Sequence, residues 1–303
     1  MNLQAIHARM KKVASVTQLP FRTSQVTGTA GNVLGQGTGS SIDFQDHRQY
    51  VPGDDPRHLN WQAYARTGNY TMKLFREEIT PRVDLVFDVS HSMFITRFKE
   101  TRAWELFYFC LESSLRAGAH LNIFVLGQDP TKAPSQVSPQ QACADNWPFL
   151  MHSKTNIQNT IRNTTQEPAH LAHQLERIPF RSGSLRVLVS DLLDESPPSR
   201  SVASLGAAHS RGIILAPFAG SERDPDWKGN IHLKDCEQRT SRRQHIDDAL
   251  LAEYRANYKR HFTVWRDACI RRGVGFAQVS EHGSFLEAIR DEAIPAGVLD
   301  MEH

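Results

Sequence analysis

The clearest chemical pattern lies in residues 82–93, an apolar run that ends in Asp88-x-Ser90-x-Ser92. Asp88 supplies one charged oxygen, and the two serines supply neutral hydroxyl oxygens beside it. Mg²⁺ takes oxygen ligands and keeps several of its waters, so these three side chains form a partial shell for a hard divalent cation. Such a shell leaves a position open for an oxygen of a partner. The pattern therefore predicts metal-bridged binding before it predicts catalysis.

Two further groups can reach the same edge of a sheet. The predicted strand 185–190 ends at Asp191, and parallel strands deliver their last residues to the crevice where α/β folds bind ligands. Thr164 and Thr165 precede a predicted helix, in a loop expected to face the same crevice. Taken without these groups, Asp-x-Ser-x-Ser is a weak signal for a metal, because Asp and Ser are common at strand ends, where they cap the following helix. The combined shell of hard oxygens comprises Asp88, Ser90, Ser92, a threonine and Asp191.

The elements that must position these groups alternate along the chain. Apolar runs predict strands at 70–76, 82–88, 121–126, 185–190, 213–218 and 274–279. Helical periodicity predicts helices near 3–13, 97–117, 168–178, 199–211, 242–272 and 283–293, with an irregular polar region over 128–165. Alternating strands and helices predict an α/β fold. We expect a doubly wound, mostly parallel sheet flanked by helices, with an irregular or β-rich N-terminal extension.

Charge and cysteine content exclude several classes of protein. The chain has 35 Lys and Arg against 33 Asp and Glu, a net charge of +2, a balance that does not indicate a nucleic-acid or membrane-surface protein. Residues 236–272 are locally basic, which predicts a solvated helix face or, as an alternative, a nucleic-acid surface. The four cysteines, at 110, 143, 236 and 269, form no Cys-x-x-Cys, which favours a reducing compartment. With neither a signal peptide nor a membrane span in the sequence, we expect a cytoplasmic protein.

A second motif precedes the Asp88 strand. Pro52-Gly53-Asp54-Asp55 predicts a turn, after which Asp55 would cap a short helix beginning at Pro56 and ending at Gly68. In the structural interpretation, Asp54 and Asp55 pair with arginines at 48, 57 and 66, and Tyr50 and Trp61 pack in or near the core. In the alternative, the two aspartates form a metal or catalytic pair, or Arg57 and Arg66 bind an anion. A turn needs aspartates equally, so the pattern does not choose between them.

These motifs resemble known families. The set at Asp88, Ser90, Ser92 and Asp191 resembles the metal-ion-dependent adhesion site of the von Willebrand factor A domain, which adds a later threonine. That threonine is Thr165 or the competing Thr155; the family usually places a glycine before it, and Asn163-Thr-Thr-Gln stands here. The N-terminal motif resembles domain-of-unknown-function family 58, many of whose members contain an A-domain core. Its pattern is Arg48-x-Tyr50-x-Pro52-Gly53-Asp54-Asp55-x-Arg57-x3-Trp61-x3-Ala65-Arg66.

The second resemblance implies partners, since that family is typically associated with MoxR-type AAA+ ATPases that act on client complexes. We therefore expect residues 1–76 to form an N-terminal block and 77–295 an A-like domain. The expected function is a non-enzymatic adaptor that binds an acidic protein client through Mg²⁺, with Mn²⁺ or Ca²⁺ as alternatives. The alternative function is a metal-dependent hydrolase that uses Asp88 with Asp191, or Asp54 with Asp55. The sequence contains no Gly-x-Ser-x-Gly or His-Glu-x-x-His motif, which favours the adaptor.

Overall fold

The computed structural model describes residues 1–21, 42–52, 56–77, 80–127, 133–144, 147, 171–234 and 241–301. The chain divides into two compact units. The larger comprises Met1–Ser24 and Pro81–His303, and the smaller is Gln25–Thr80. The N-terminal helix therefore belongs to the larger unit, which also contains the Asp88 strand.

Strands and helices alternate along most of the described chain. The strands are β1 (Thr17–Gln18), β2 (Ile42–Gln49), β3 (Thr71–Glu77), β4 (Arg82–Asp88), β5 (His120–Leu126), β6 (Ser135–Val137), β7 (Leu185–Val189), β8 (Arg211–Phe218), β9 (Gly229–Lys234), β10 (Ser241–Ile246), β11 (Gly275–Ser280) and β12 (Asp300–Met301). The helices are α1 (Leu3–Val13), α2 (Trp61–Thr67), α3 (Arg97–Arg116), α4 (Pro139–Cys143), α5 (Leu171–Glu176), α6 (Pro198–Leu205), α7 (Gly220–Arg223), α8 (Asp248–Arg272) and α9 (Phe285–Asp291). Among the described residues, no helix has both the length and the hydropathy needed to cross a bilayer.

A six-stranded sheet organises the larger unit, in the order β11-β8-β7-β4-β5-β6. Neighbouring strands from β11 to β5 are parallel, and β6 pairs antiparallel with β5 at one edge. Val83, Leu85, Val86 and Phe87 of the central strand β4 are all buried, as expected for a strand covered on both faces. The prediction of an α/β fold with a mostly parallel sheet is confirmed.

Helices cover both faces of this sheet. Leu85 and Phe87 of β4 belong to a core shared with α1, α3 and α9. Val86 points to the other face and belongs to a core shared with α5, α6 and α8. A stripe of apolar side chains on α3 is fully buried and comprises Trp104, Phe107, Tyr108 and Leu111. Successive strand residues thus feed two separate cores, the arrangement of a sheet with helices on both sides.

Two predictions in the larger unit are wrong in detail. The helix expected from residue 242 begins at Asp248, capped by Asp247, because Ser241–Ile246 pairs instead with β9 as an antiparallel hairpin. The region expected to be irregular contains β6 and α4, whose N-terminus has a capping box between Ser138 and Gln141. The basic side chains at 242, 243, 255, 259, 260, 266, 271 and 272 are exposed, and the choice between a solvated face and a nucleic-acid surface stays a prediction.

The smaller unit contains the antiparallel pair β2 and β3 and the helix α2. Helix α2 begins later than predicted, at Trp61, because the Asn60 side chain accepts a hydrogen bond from the Ala63 amide; Pro56 lies in a separate 3₁₀ turn. Gly68 ends the helix as predicted, at φ 71°. Trp61 is 58% exposed, so the prediction that it packs in or near the core is wrong. Asp54, Asp55, the Arg48 side chain and the glycine-rich 27–41 segment lie outside the described residues.

A buried ionic cluster lies at the start of β4, at the end of the strand opposite to Asp88. The fully buried Asp84 accepts hydrogen bonds from the Arg181 guanidinium at 2.9 Å and from the Ser184 hydroxyl at 2.7 Å. Asp84 Oδ2, which binds the Ser184 hydroxyl, also accepts a hydrogen bond from the Arg181 backbone amide at 3.0 Å. Asp84 Oδ1, which binds the Arg181 guanidinium, also accepts a hydrogen bond from the Asn122 side chain at 3.2 Å. Both oxygens of this carboxylate are therefore satisfied by donors of the protein itself.

Asp84→Ala should lower the free energy of unfolding by about 3 kcal/mol, since breaking a buried ion pair leaves a charge without its partner. This value is the lower end of the range of about 3–5 kcal/mol for breaking a buried pair, because the Arg181 side chain is 27% exposed and can reach water. Urea unfolding measures the change. The matched control is Glu176→Ala, which removes an exposed pair with Arg200 and should lower the free energy of unfolding far less, because water and salt screen an exposed pair. Equal losses in the two variants would contradict a structural role for the cluster.

A candidate metal centre at the ends of β4 and β7

The carboxyl ends of two neighbouring parallel strands bring the candidate residues together. Phe87 of β4 lies in register with Val189 of β7, so Asp88 and Ser190 follow side by side. The Ser190 hydroxyl donates to Asp88 Oδ2 at 2.6 Å, and Asp191 comes next along the chain. The structure thus places the carboxylates of both strand ends at one edge, as the strand pattern predicted.

The Asp88-x-Ser90-x-Ser92 segment folds back on its own carboxylate. Asp88 Oδ1 accepts the Ser90 amide at 2.8 Å, the local bond by which aspartate stabilises a turn. The Ser90 and Ser92 hydroxyls form a hydrogen bond with each other, with their oxygens 3.2 Å apart. Adjacent ligands of an octahedral Mg²⁺, at bond lengths of about 2.0–2.1 Å, lie roughly 3 Å apart. The two hydroxyls are therefore spaced as adjacent ligands of a hard cation would be.

Asp191 is held differently from Asp88. It is buried, and its Oδ2 accepts the Lys99 ammonium at 2.8 Å. Its Oδ1 accepts the Leu193 amide at 3.2 Å, and its own amide donates to the Met93 sulfur at 3.1 Å. The Lys99 ammonium already balances the charge of this carboxylate, whereas Asp88 accepts only hydroxyl and amide hydrogen bonds among the described contacts. Asp191 therefore suits an outer position around a cation, reached through water, better than a direct bond.

Lys99 and Glu222 belong to the site, and no sequence motif pointed to them. Lys99 is fully buried in the first turn of α3, and its ammonium also donates to Glu222 Oε1 at 2.5 Å. Burial works against the charge of Lys99, but Asp191 and Glu222 outweigh it and raise the pKa of Lys99 above its ordinary value. Burial raises the pKa of Glu222, and the nearby Lys99 opposes that rise. The ammonium thus serves as an internal counter-ion for two acids.

The remaining acid, Asp88, has no such counter-ion among the described contacts. Burial, and then the negative charge of Asp191, raise the pKa of Asp88 to about 6, although hydrogen bonds from Ser190 and Ser90 oppose the rise. Three carboxylates (Asp88, Asp191 and Glu222) and one ammonium leave this group of side chains with a formal charge of −2. The site therefore favours an added cation on electrostatic grounds, and the oxygens nearest Asp88 are those that a hard cation prefers.

Comparison with known proteins places the chain in a family. The family described as "Protein of unknown function DUF58" matches residues 46–264, well over half of the sequence. The chain belongs to the DUF58 family. Similar proteins include Uncharacterized protein Rv1480 of Mycobacterium tuberculosis and Uncharacterized protein Mb1516 of Mycobacterium bovis. Each is 27% identical over 237 residues, covering 74% of this chain and 70% of the relative.

A solved structure that resembles this DUF58 protein is described as "Crystal structure of conserved hypothetical protein BatB from Bacteroides thetaiotaomicron". It covers 72% of this chain and 98% of its own, at 9% identity and a TM-score of 0.34, which is too low to establish a shared fold. The DUF58 match, by contrast, contains the whole group around Asp88. These residues are Asp88, Ser90, Ser92, Lys99, Ser190, Asp191 and Glu222.

A strained residue shapes the β7 end of the site in this DUF58 protein. Leu192 has φ 60°, a left-handed conformation that is costly for a side chain of this kind. Its side chain is 1% exposed within the core of the second sheet face, and its carbonyl lies 2.8 Å from His261 Nε2. Packing and this contact hold a turn that presents Ser190 to Asp88 and Asp191 to Lys99.

The threonine predicted to complete the shell stays a prediction. Thr165 and its competitors Thr155 and Thr164 lie outside the described residues. Of the predicted ligands that are described, Asp88, Ser90 and Ser92 form one contiguous group. Asp191 is beside it but bonded to Lys99. The donor set thus fits Mg²⁺ at the three positions of the Asp-x-Ser-x-Ser segment.

Proposed function

We propose that this DUF58 protein is a metal-dependent protein-binding adaptor, with a site of the von Willebrand factor A type at the end of β4. The observation that supports the proposal most is the pair of hydroxyl oxygens, 3.2 Å apart, beside a carboxylate with a raised pKa. Asp88, Ser90 and Ser92 would hold Mg²⁺, or Mn²⁺ or Ca²⁺ in its place. The bound ion would supply an open position for a carboxylate oxygen of an acidic client.

The composition of the shell explains why binding is favoured over hydrolysis. Two neutral hydroxyls neutralise less of the ion's charge than two carboxylates would, so an acidic partner gains more by binding there. A hydrolase needs a base positioned to activate water. The described groups that contact Asp88 are hydroxyl and amide donors, which cannot act as a base. Asp191 already forms an ion pair with Lys99. Asp54 and Asp55, the other candidate pair, lie outside the described part of the chain.

The proposed partners follow from the family resemblance. A MoxR-type AAA+ ATPase would act with this protein in remodelling or activating a client complex. The adaptor would bind an acidic segment of the client through the metal site, and the ATPase would supply the work. A MoxR-type ATPase from the same organism is therefore the first purified candidate to mix with the chain.

Asp88→Ala should abolish divalent-dependent capture of the ATPase or its client complex, because the variant removes the charged ligand of the site. The measurement is affinity capture by the full chain in Mg²⁺ and in EDTA, with Mn²⁺ binding followed by electron paramagnetic resonance. Ser90→Ala should weaken both signals, whereas Ser199→Ala, on the exposed surface of α6, should leave them unchanged. Capture that survives both EDTA and Asp88→Ala would refute the proposal.

A further inference from the structure

Three potential metal ligands meet where α1 and α4 approach α3, and none of them belongs to the group around Asp88. His7 lies on α1, Glu112 on α3, and Cys143 is the last residue of α4. One ligand atom from each, an imidazole nitrogen, a carboxylate oxygen and a thiol sulfur, all lie within 4.8 Å of one another. The three residues are far apart in sequence, so no motif of fixed spacing predicts the cluster.

Two of the three groups are already fixed in place. The Glu112 side chain is 8% exposed, and its Oε1 lies 2.6 Å from His7 Nε2. The His7 ring stacks on Tyr108, which lies one turn before Glu112 on α3. The ring centroids are 4.6 Å apart and the angle between the planes is 17°. Tyr108 accepts a hydrogen bond from the Trp147 indole at 3.2 Å. This packing holds the imidazole and the carboxylate in a defined arrangement, which lowers the ordering cost of binding a ligand.

We propose that His7, Glu112 and Cys143 form a zinc site. Thiolate and imidazole ligands favour Zn²⁺ over hard cations such as Mg²⁺, and a carboxylate is an accepted third ligand. Zinc bonds of about 2.0–2.3 Å in tetrahedral geometry place ligand atoms roughly 3.3–3.6 Å apart. All three ligand atoms lie within 4.8 Å of one another, and the 2.6 Å contact between His7 Nε2 and Glu112 Oε1 would open as both groups turn to the ion.

The proposed site is open on one side. The His7 side chain is 15% exposed and Cys143 is partly exposed, so zinc can enter from solvent. Three protein ligands leave the fourth position for water or a further ligand. Binding would release the Cys143 thiol proton to solvent, because the thiolate is the ligand. The bound ion would link α1 and α4 to the central helix α3 and so stabilise the larger unit.

The test uses the full chain, stripped of metal under reducing conditions and then titrated with Co²⁺ and Zn²⁺. We expect a thiolate-to-cobalt charge-transfer absorption that saturates at one equivalent of Co²⁺ and disappears when Zn²⁺ replaces it, with excess Mg²⁺ present to occupy the proposed site at Asp88. Cys143→Ser should abolish that absorption. His7→Gln should weaken Zn²⁺ affinity at least about tenfold, the smallest effect typical of even indirect partners of a metal. His232→Gln, an exposed histidine on β9, is the matched control and should change neither signal.

Two further measurements keep the result unambiguous. Far-UV circular dichroism shows whether each variant is folded, and His7→Gln decides the question if Cys143→Ser does not fold. Asp88→Ala should bind Zn²⁺ like the parent chain, which separates this site from the proposed Mg²⁺ site. No charge-transfer absorption, an absorption that persists in Cys143→Ser, or unchanged Zn²⁺ affinity in His7→Gln would overturn the proposal.

Discussion

Lys99→Met should lower the free energy of unfolding by about 3–5 kcal/mol, the range for removing one partner of a buried ion pair. Methionine keeps much of the length and apolar volume of the lysine stem but has no ammonium. The variant therefore leaves Asp191 and Glu222 buried without the charge that both now contact, at 2.8 and 2.5 Å. Urea unfolding of the metal-free chain measures the loss.

The pH dependence of this loss identifies its cause. Carboxyl groups that lose their ammonium partner have pKa values raised by burial, as already holds for Glu222. A raised carboxyl pKa gives stability that is present at low pH and is lost as pH rises through the folded-state value. The deficit of Lys99→Met should therefore be largest at neutral and alkaline pH and should shrink in acid. A deficit that is the same at all pH values would point to lost packing instead.

Two companion variants complete that experiment. Lys259→Met removes an exposed lysine from α8 and should change stability by under about 0.5 kcal/mol. Asp191→Asn in the Lys99→Met background removes one of the two uncompensated charges and should restore part of the loss. If Lys99→Met proves no more harmful than Lys259→Met, the buried ammonium is not the counter-ion that its contacts indicate.

The sequence predicts those features that short stretches of chain determine. The apolar runs at 82–88 and 185–190 specify buried parallel strands, and the residue after a strand must lie at its carboxyl end. Asp88, Ser90 and Ser92 can therefore be placed correctly from spacing. Lys99 cannot, since its partners lie 92 and 123 residues away. In sequence it resembles any polar residue in a solvated first helical turn.

The wrong predictions have the same origin. Trp61 is predicted to pack in or near the core because aromatic residues usually bury their large apolar surface, yet α2 has no buried residue. Residues 242–246 are predicted to be helical as the first part of the helix over 242–272. Their strand conformation comes from pairing with β9, a contact with a segment that the local pattern does not encode.

Asp88→Asn removes the charge of Asp88 but keeps its shape. Relative to the parent, the variant should be more stable without metal and less stable with it. The pKa of Asp88 is raised to about 6, chiefly by burial and then by Asp191. Its contribution to stability is thus full below its ordinary pKa of about 3.9 and is lost as pH rises through about 6. Asparagine stays neutral throughout. In EDTA the variant should therefore melt at a higher temperature than the parent at pH 8, and the two should converge below about pH 4.

Mg²⁺ should reverse that order. An ion that binds only the folded parent stabilises it by about 2.7 kcal/mol at one hundred times the dissociation constant, and the neutral amide of the variant cannot supply the charged ligand. The parent should therefore gain in melting temperature at pH 8, whereas the variant should gain little. Asp267→Asn, on the exposed face of α8, controls for non-specific screening and should respond like the parent. If Mg²⁺ raised the melting temperatures of the parent and of Asp88→Asn equally, Asp88 would not be a metal ligand. Its raised pKa would then reflect burial alone.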